Sequence, residues 1–404
     1  MDQRLHLLIV DRRRGTALAA RYGPRWLWPT IACGERVRAG LAAARWCAAR
    51  GLAADIAGQW LGRIDAGVSD WLIAVAARGA RSGAVAPLEW IELDALLDAA
   101  SVLDYQTWAL ARCVRRGAMP EVDGPFGNLD WPAHVGEWIR AAVDSDVREW
   151  IPYRISAHEL VLGVETARTR VFFKGLTGAR TSEACITQTL CAALPDSFAP
   201  TLALAPRPAA TVWWLTGFCT GHACRDASLV ATALARVQQR LALSTGDGCS
   251  LDPLPIERAA AWAAAAPAGI ERDLTIDACA HVMDASPARS WIPMDLDPSN
   301  VVADGDRVRF IDVDDSFAGP APLALAAFAR RCGDRSGYAA YELAWSPPLE
   351  GIDWRRHEIA AAVFQAWSGL ESFRRNAARG ELRAAPDEVE LRVRKRLAME
   401  LHRR

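Results

Sequence analysis

The stretch between residues 291 and 315 brings together residue types that bind metal ions and phosphate groups. Asp295 and Asn300 lie five residues apart in it, and an apolar run then leads through the turn at 304–306 into a second apolar run that ends at Asp312. This pattern predicts a β-hairpin that returns Asp312 to the side of Asn300. A carboxylate and an amide oxygen that meet in this way form a hard-oxygen site suited to Mg²⁺. Asp295, just upstream, is predicted to be free to orient a hydroxyl group.

A second candidate for phosphate binding is a lysine inside an apolar strand. Of the 47 basic residues only Lys174 and Lys395 are lysines. The run RVFFKGL predicts a strand with Val171 and Phe173 on one face and Lys174 on the other. In a chain so biased toward arginine, a strand lysine indicates a role that a guanidinium group cannot fill.

The spacing of the three oxygen-bearing residues resembles that of the aminoglycoside phosphotransferase and choline kinase group. The signature of that group is H-G-D-x-x-x-x-N, followed by I-D at the end of the next hairpin. The resemblance implies that Asp295 is the catalytic aspartate and that Asn300 and Asp312 bind the metal ion. The chain departs from the signature at the His-Gly pair, which is Pro293-Met294 here.

The same resemblance implies a nucleotide site made by the region before the hairpin. Lys174 corresponds to the kinase lysine that holds the α- and β-phosphates. Glu183, the only acid between Lys174 and Asp196, is the candidate for the glutamate that pairs with this lysine. Backbone groups between Leu215 and Phe218 correspond to the lobe connection that binds adenine.

The first part of the chain resembles a Nudix domain in the order of its elements. The landmarks are Gly34-Glu35, the helix that follows, Gly51-Leu52 and the segment 88–90. Nudix hydrolases hold their metal with an R-E-x-x-E-E cluster on that helix, whereas residues 43–49 contain no carboxylate. Without acidic ligands, metal-dependent diphosphate hydrolysis has no basis. We therefore expect a degenerate Nudix-like domain, kept for binding or for structure, and an unrelated α/β domain is the alternative.

Two helices of this first part are predicted from periodicity. Val37, Leu41, Ala44 and Ala48 recur at helical spacing, and Gly51 is a natural helix end. A second helix is predicted over residues 131–150.

The predicted fold class is α+β, a bilobal protein-kinase-like fold with an added N-terminal α/β domain. The predicted boundaries are residues 1–118 for the Nudix-like domain, 119–150 for a linker and helix, 151–220 for the kinase-like N-lobe and 221–404 for the helical C-lobe.

The composition argues against several classes of partner. A formal net charge of −1 gives no electrostatic reason to expect nucleic acid or an anionic membrane. Arginines interrupt every Ala-rich stretch, so no apolar run approaches the roughly 20 residues of a membrane-spanning helix. The ten cysteines form no C-x-x-C pair, and no signal peptide is apparent, which together predict a cytoplasmic protein with reduced thiols.

The function that these patterns predict is phosphoryl transfer. ATP, or another nucleoside triphosphate, with Mg²⁺ would phosphorylate a hydroxyl or amine of a small molecule, a natural-product-like compound or a peptide-like acceptor. Two alternatives remain open. The chain could be a catalytically inactive binding or scaffold protein, or its N-terminal domain could recognise the substrate on which the kinase-like lobes act.

Overall fold

The long apolar and alternating runs of the chain form β-sheets in its first half and helices in its second half. The structure is a computed structural model that describes residues 2–11, 15–22, 25–33, 39–65, 68–79, 88–92, 95, 126, 131–155, 159–177, 181–207, 211–243, 251–265, 272–313, 316–378 and 386–402. The chain divides into two compact units. The first contains Met1–Gly178, Leu202–Gly217 and Asn376–Ala384, and the second contains Ala179–Thr201, Phe218–Arg375 and Ala385–Arg404.

The N-terminal part of the first unit is a seven-stranded mixed sheet. Its strands are β1 Asp2–Asp11, β2 Thr16–Tyr22, β3 Arg25–Leu27, β4 Thr30–Cys33, β5 Ala53–Asp65, β6 Val68–Gly79 and β7 Leu88–Glu92. The order is β3-β2-β1-β6-β5, with β4 also paired to β1 and β7 to β2. β1 pairs in parallel with β6, and the other pairs are antiparallel. The continuous apolar run of β1 suits this central position.

The helix α1, Ala39–Ala49, lies where periodicity predicted a helix, and its buried residues are Ala39, Gly40, Ala43 and Cys47. Of the residues that set the predicted spacing, Leu41 and Ala44 are half-buried, Ala48 is exposed and Val37 lies outside the described residues. Alanine occupies most positions of this helix, and hydrophobicity therefore gives little indication of which face is buried. The predicted end is confirmed, because Gly51 follows the helix with φ of 67°.

The second predicted helix is shorter than expected. α2 covers Trp131–Val143, and Asp144 follows it with a left-handed φ of 47°. Val147–Ile155 is the strand β8. Its Pro152 lies on an edge strand with a register shift, which is where a sheet accepts proline.

Strand β8 opens a five-stranded antiparallel sheet in the first unit. The other strands are β9 Glu159–Thr166, β10 Arg170–Thr177, β11 Thr201–Arg207 and β12 Thr211–Gly217. The order is β11-β12-β10-β9-β8. Val171 and Phe173 are fully buried, and Trp138 and Trp213 pack edge-on against Phe173. One face of the sheet is therefore core, and Lys174 lies on the other face.

The second unit is mainly helical. Its helices are α3 Thr181–Ala193, α4 Ala227–Leu243, α5 Ile256–Ala264, α6 Arg272–Ala285, α7 Pro322–Cys332, α8 Gly337–Ala344, α9 Trp354–Ala378 and α10 Pro386–His402. Its short strands are β13 His222–Ala223, β14 Arg289–Pro293, β15 Val301–Asp304, β16 Arg307–Phe310 and β17 Ser316–Pro320. No helix within the described ranges has the length and apolar character to cross a membrane.

A buried carboxamide fixes the frame of the second unit. Gln238 on α4 is fully buried, and its Nε2 donates to the backbone oxygens of Trp291 (2.8 Å) and Ala321 (2.9 Å). Its Oε1 accepts a hydrogen bond from the Tyr341 hydroxyl at 2.5 Å. Strand β14 and the start of α7 are thereby tied to α4 and α8.

Tyr341→Phe is expected to destabilise the protein by about 1–3 kcal/mol, because Gln238 Oε1 would be left buried without a donor. Chemical denaturation of both proteins measures the difference. Leu343→Ala on the same helix is the control, since Leu343 is 72% exposed and should change stability by less than about 0.5 kcal/mol. Equal stability of Tyr341→Phe and wild type would contradict the role of this hydrogen bond.

Candidate functional site

The segment that contains the candidate site is held at both ends by a small antiparallel sheet. β14 and β17 pair in the register Pro293↔Ser316, so the chain leaves and re-enters this sheet around residues 294–315. The indole Nε1 of Trp291 donates to Ser316 Oγ at 2.8 Å, and Ser316 Oγ donates to Val313 O at 2.5 Å. The ends of the segment are therefore fixed by buried side chains.

The loop after β14 is organised by its own hydrogen bonds. Asp297 Oδ1 accepts from the backbone N–H of Ser299 at 2.6 Å and from its hydroxyl at 2.5 Å, which starts the short 3-10 turn Pro298–Asn300. Asn300 is buried, and its Nδ2 donates to the backbone oxygen of Asp295 at 2.8 Å. This hydrogen bond uses the NH₂ group of the carboxamide, so the carboxamide oxygen is the atom that could bind a metal ion.

The hairpin predicted from the sequence is present. β15 and β16 pair from Val301↔Phe310 to the turn at Gly305, which has φ of 60°. The N–H of Ile311 donates to Asn300 O at 2.9 Å. Asp312 is the next residue in the chain, so it directly follows a residue that contacts Asn300. The hairpin thus brings the two predicted metal-binding residues to the same end.

Asp312 has an unusual backbone conformation. Its φ is 57°, in the left-handed region that few residues other than glycine, Asn and Asp adopt. Such conformations concentrate at functional sites, where surrounding structure maintains them. The side chain is exposed, in contrast to the buried Asn300.

These residues fit a magnesium ion by their chemistry. Magnesium is usually held by one or two protein oxygen ligands and by substrate phosphates and water. Asn300 and Asp312 supply an amide and a carboxylate oxygen of this kind. The described ranges contain no group of three or more His, Cys, Asp or Glu side chains that could enclose a metal. Two protein ligands leave coordination positions that phosphate oxygens and water can fill.

The structure adds a residue that the sequence did not indicate. Arg331, near the end of α7, places Nη1 2.7 Å from Asp295 Oδ1 and 3.4 Å from Asp297 Oδ2. Asp295 is 44% exposed, but it is not free as predicted, because one of its oxygens is paired.

The Pro293-Met294 pair stands where the family signature has His-Gly. Pro293 and Met294 are buried, and the backbone oxygen of Met294 accepts a hydrogen bond from Gln365 Nε2 on α9 at 3.3 Å. Helix α9 therefore contacts the residue before Asp295, and Arg331 contacts Asp295 itself.

The residues predicted to bind nucleotide are divided between the two units. Lys174 is half-buried on β10, with Nζ 5.1 Å from the ring centre of Trp214 on the neighbouring strand. Glu183 is buried in the first turn of α3, which belongs to the second unit. The Lys174–Glu183 pair stays a prediction.

The two ends of the predicted adenine-binding segment, Leu215 and Phe218, differ in exposure. The Leu215 side chain is fully buried in the core of the first unit, so only its backbone could serve a ligand. Phe218 follows the end of β12 and is 40% exposed. Their contacts to adenine stay a prediction. The landmark Gly34-Glu35 of the Nudix resemblance lies outside the described residues.

Comparison with known proteins gives kinase-like structural neighbours for this mixed α/β chain. No protein-family model matches the sequence, and no curated protein matches it. One similar solved structure is the choline kinase LicA from Streptococcus pneumoniae, with 13% identity, a TM-score of 0.47, and coverage of 68% of this chain and 99% of LicA.

Two further similar structures hold ligands. The amicoumacin kinase hAmiN, in complex with AMP-PNP, Ca²⁺ and Ami, has 11% identity, a TM-score of 0.45, and coverage of 63% of this chain and 88% of that chain. A thermostable mutant of aminoglycoside phosphotransferase APH(4)-Ia, with ADP and hygromycin B, has 14% identity, a TM-score of 0.42, and coverage of 63% and 97%. With identities of this size, a function for the present chain has to be inferred from its own side chains.

Proposed function

We propose that this protein transfers the terminal phosphoryl group of ATP, or of another nucleoside triphosphate, to a hydroxyl or amine of a small molecule. The observation that carries the proposal is the joint placement of three oxygen-bearing residues. Asn300 is bonded to the backbone of Asp295 through its side chain and to Ile311 through its carbonyl oxygen. The candidate base and both candidate metal ligands therefore belong to one hydrogen-bonded loop and hairpin.

Asn300 and Asp312 would hold Mg²⁺ against the β- and γ-phosphates. The bound ion would neutralise the charge that develops on the transferred group. The contribution of the chain is to keep one amide and one carboxylate oxygen at fixed positions, which the hairpin ladder and the Asn300 O to Ile311 N–H bond achieve.

Asp295 would orient the acceptor and take its proton. A bond forms between the acceptor oxygen and the γ-phosphorus, the bond from the γ-phosphorus to the β-γ bridging oxygen breaks, and ADP leaves. The hydroxyl proton passes to the carboxylate of Asp295, which Arg331 holds through Oδ1.

Lys174 is the proposed partner of the α- and β-phosphates, and Glu183 is the proposed partner of Lys174. The ammonium group of Lys174 is half-buried over the ring of Trp214, a position that suits a cation. Backbone groups from Leu215 to Phe218 would bind adenine. The N-terminal sheet would be the degenerate Nudix-like domain, with a binding or structural role.

A second candidate is a nucleotide-binding module without turnover. The ion pair between Arg331 and Asp295 and the replacement of His-Gly by Pro293-Met294 favour it, since both depart from the catalytic pattern. Such a module would bind Mg-ATP and release no ADP with any acceptor.

Thermal unfolding with ATP, with and without Mg²⁺, tests nucleotide binding in either case. Ligand at 100 times its dissociation constant should stabilise the protein by about 2.7 kcal/mol. ADP release measured against alcohols and amines then separates the enzyme from the module. The absence of any Mg²⁺-dependent stabilisation at millimolar ATP would rule out both.

A further inference from the structure

Arg331 uses only part of its guanidinium group. Both carboxylates near it, Asp295 and Asp297, face the same nitrogen, Nη1. Within the part of the chain that the structure describes, neither Nε nor Nη2 of Arg331 makes a hydrogen bond. The side chain is 29% exposed. An arginine next to the candidate base therefore keeps an open edge with two parallel donors, the geometry that binds a carboxylate or phosphate group in bidentate fashion.

Arg331 contacts the part of the loop that contains the candidate base. Its contacts are with Asp295 and with Asp297, the loop residues upstream of the metal-binding pair. Asp297 Oδ1 is already occupied by Ser299, so Asp297 shares only its other oxygen with Arg331. The guanidinium thus borders the carboxylate that would receive the acceptor hydroxyl.

A second cation lies in the same neighbourhood. Arg225, just before α4, is exposed and forms no salt bridge with any residue in the described ranges. The pKa of the Cys332 thiol is raised to about 11, chiefly by burial and also by Asp334 and Asp297, while Arg225 and Arg331 lower it. Arg225 is therefore close enough to Cys332 to add positive potential beside Arg331.

From this geometry we infer that Arg331 is a specificity-determining residue for an acceptor that carries an acidic group, a carboxylate or a phosphate, close to the hydroxyl that is phosphorylated. The inference rests on the proposed function. The open Nε–Nη2 edge binds the acidic group, and Nη1 stays on Asp295. A single arginine thereby positions both the acceptor and the carboxylate that takes its proton.

ADP release is measured for wild type, Arg331→Met, Arg331→Lys and Arg330→Met against hydroxy acids, sugar phosphates and the uncharged amides or alcohols that match them. The control Arg330 is the neighbour of Arg331, and it pairs instead with Glu400 at 3.0 Å. We expect turnover with acids and little with their uncharged counterparts. Arg331→Met should raise KM for the acid by about 10- to 100-fold with KM for ATP unchanged. Arg331→Lys should restore part of the loss, and Arg330→Met should resemble wild type.

A second measurement covers the case in which no acceptor of the panel is turned over. The thermal midpoint of the Mg-ADP complex is recorded with each acid of the panel and with inorganic phosphate. At least one should raise the midpoint in wild type and none in Arg331→Met. No stabilisation by any of these probes, or equal stabilisation of both proteins, would refute the inference.

The outcomes also separate this inference from the proposed function. Equal use of acids and amides by an active enzyme would overturn the role of Arg331 and leave the phosphotransferase intact. A rise in KM for ATP in Arg331→Met, with acceptor KM unchanged, would assign the open edge to the γ-phosphate and overturn the acceptor assignment. Failure of Mg-ATP to bind would instead remove the proposed function itself.

Discussion

Asp295→Asn is expected to lower kcat by about 10²- to 10⁴-fold, the range that a positioned general base contributes. The amide keeps the size of the side chain but cannot take the acceptor proton. Nucleotide binding should persist, because the Asn300 side chain bonds to the backbone oxygen of residue 295 and not to its carboxylate. ADP release at saturating acceptor, together with thermal unfolding in Mg-ATP, measures both parts.

Asp304→Asn is the matched control for this variant. Asp304 lies at the tip of the same hairpin, is exposed, and accepts a hydrogen bond from Thr220 Oγ1 at 3.4 Å. Its kcat should equal that of wild type. Turnover by Asp295→Asn at the wild-type rate would remove the proposed mechanism.

Asp312→Asn is expected to abolish the Mg²⁺-dependent part of ATP binding and to reduce kcat/KM on the order of 10³-fold. An amide lacks the charge that holds the ion, and metal-ion stabilisation of a transferring phosphoryl group amounts to several kcal/mol. Asparagine tolerates the left-handed φ of 57° at this position, so the fold should be unchanged. Titration of MgCl₂ at fixed ATP, followed by thermal unfolding, gives the apparent metal affinity.

Asp306→Asn serves as the comparison, since Asp306 is an exposed turn residue of the same hairpin. It should show the wild-type metal titration. If Asp312→Asn shows the same metal titration as this comparison variant, Asp312 is not a ligand.

Short-range patterns made the hairpin predictable. Its strands, its Gly305 turn and the return of Asp312 to Asn300 follow from alternation and turn chemistry within twelve residues. In α3, Ile186 and Leu190 are four residues apart and both buried, so the buried face of this helix follows from helical periodicity.

Contacts between distant segments were not predictable in this way. The pairing of Arg331 with Asp295 joins a helix end to a loop far upstream, and any of 45 arginines could have filled that place. The hydrogen bond from Gln365 to Met294 has the same character. Such contacts depend on how helices pack, which periodicity within one element does not specify.

Local ambiguity explains two differences between prediction and structure in the first unit. Alanine fills six of the eleven positions of α1, so hydrophobicity did not distinguish its most buried face. Residues 147–150 look helical as a continuation of α2, and Pro152 argues against a strand unless the strand lies at a sheet edge, as it does.

The tip of the β15–β16 hairpin offers a position for a spectroscopic reporter. A Cβ atom at Gly305 would meet no atom within 4 Å, and both neighbouring aspartates are exposed. A short labelled peptide inserted there would extend into solvent, while the residues proposed to bind the metal lie at the opposite end of the same two strands. A dye attached there would label the hairpin without altering the residues proposed to bind the metal ion.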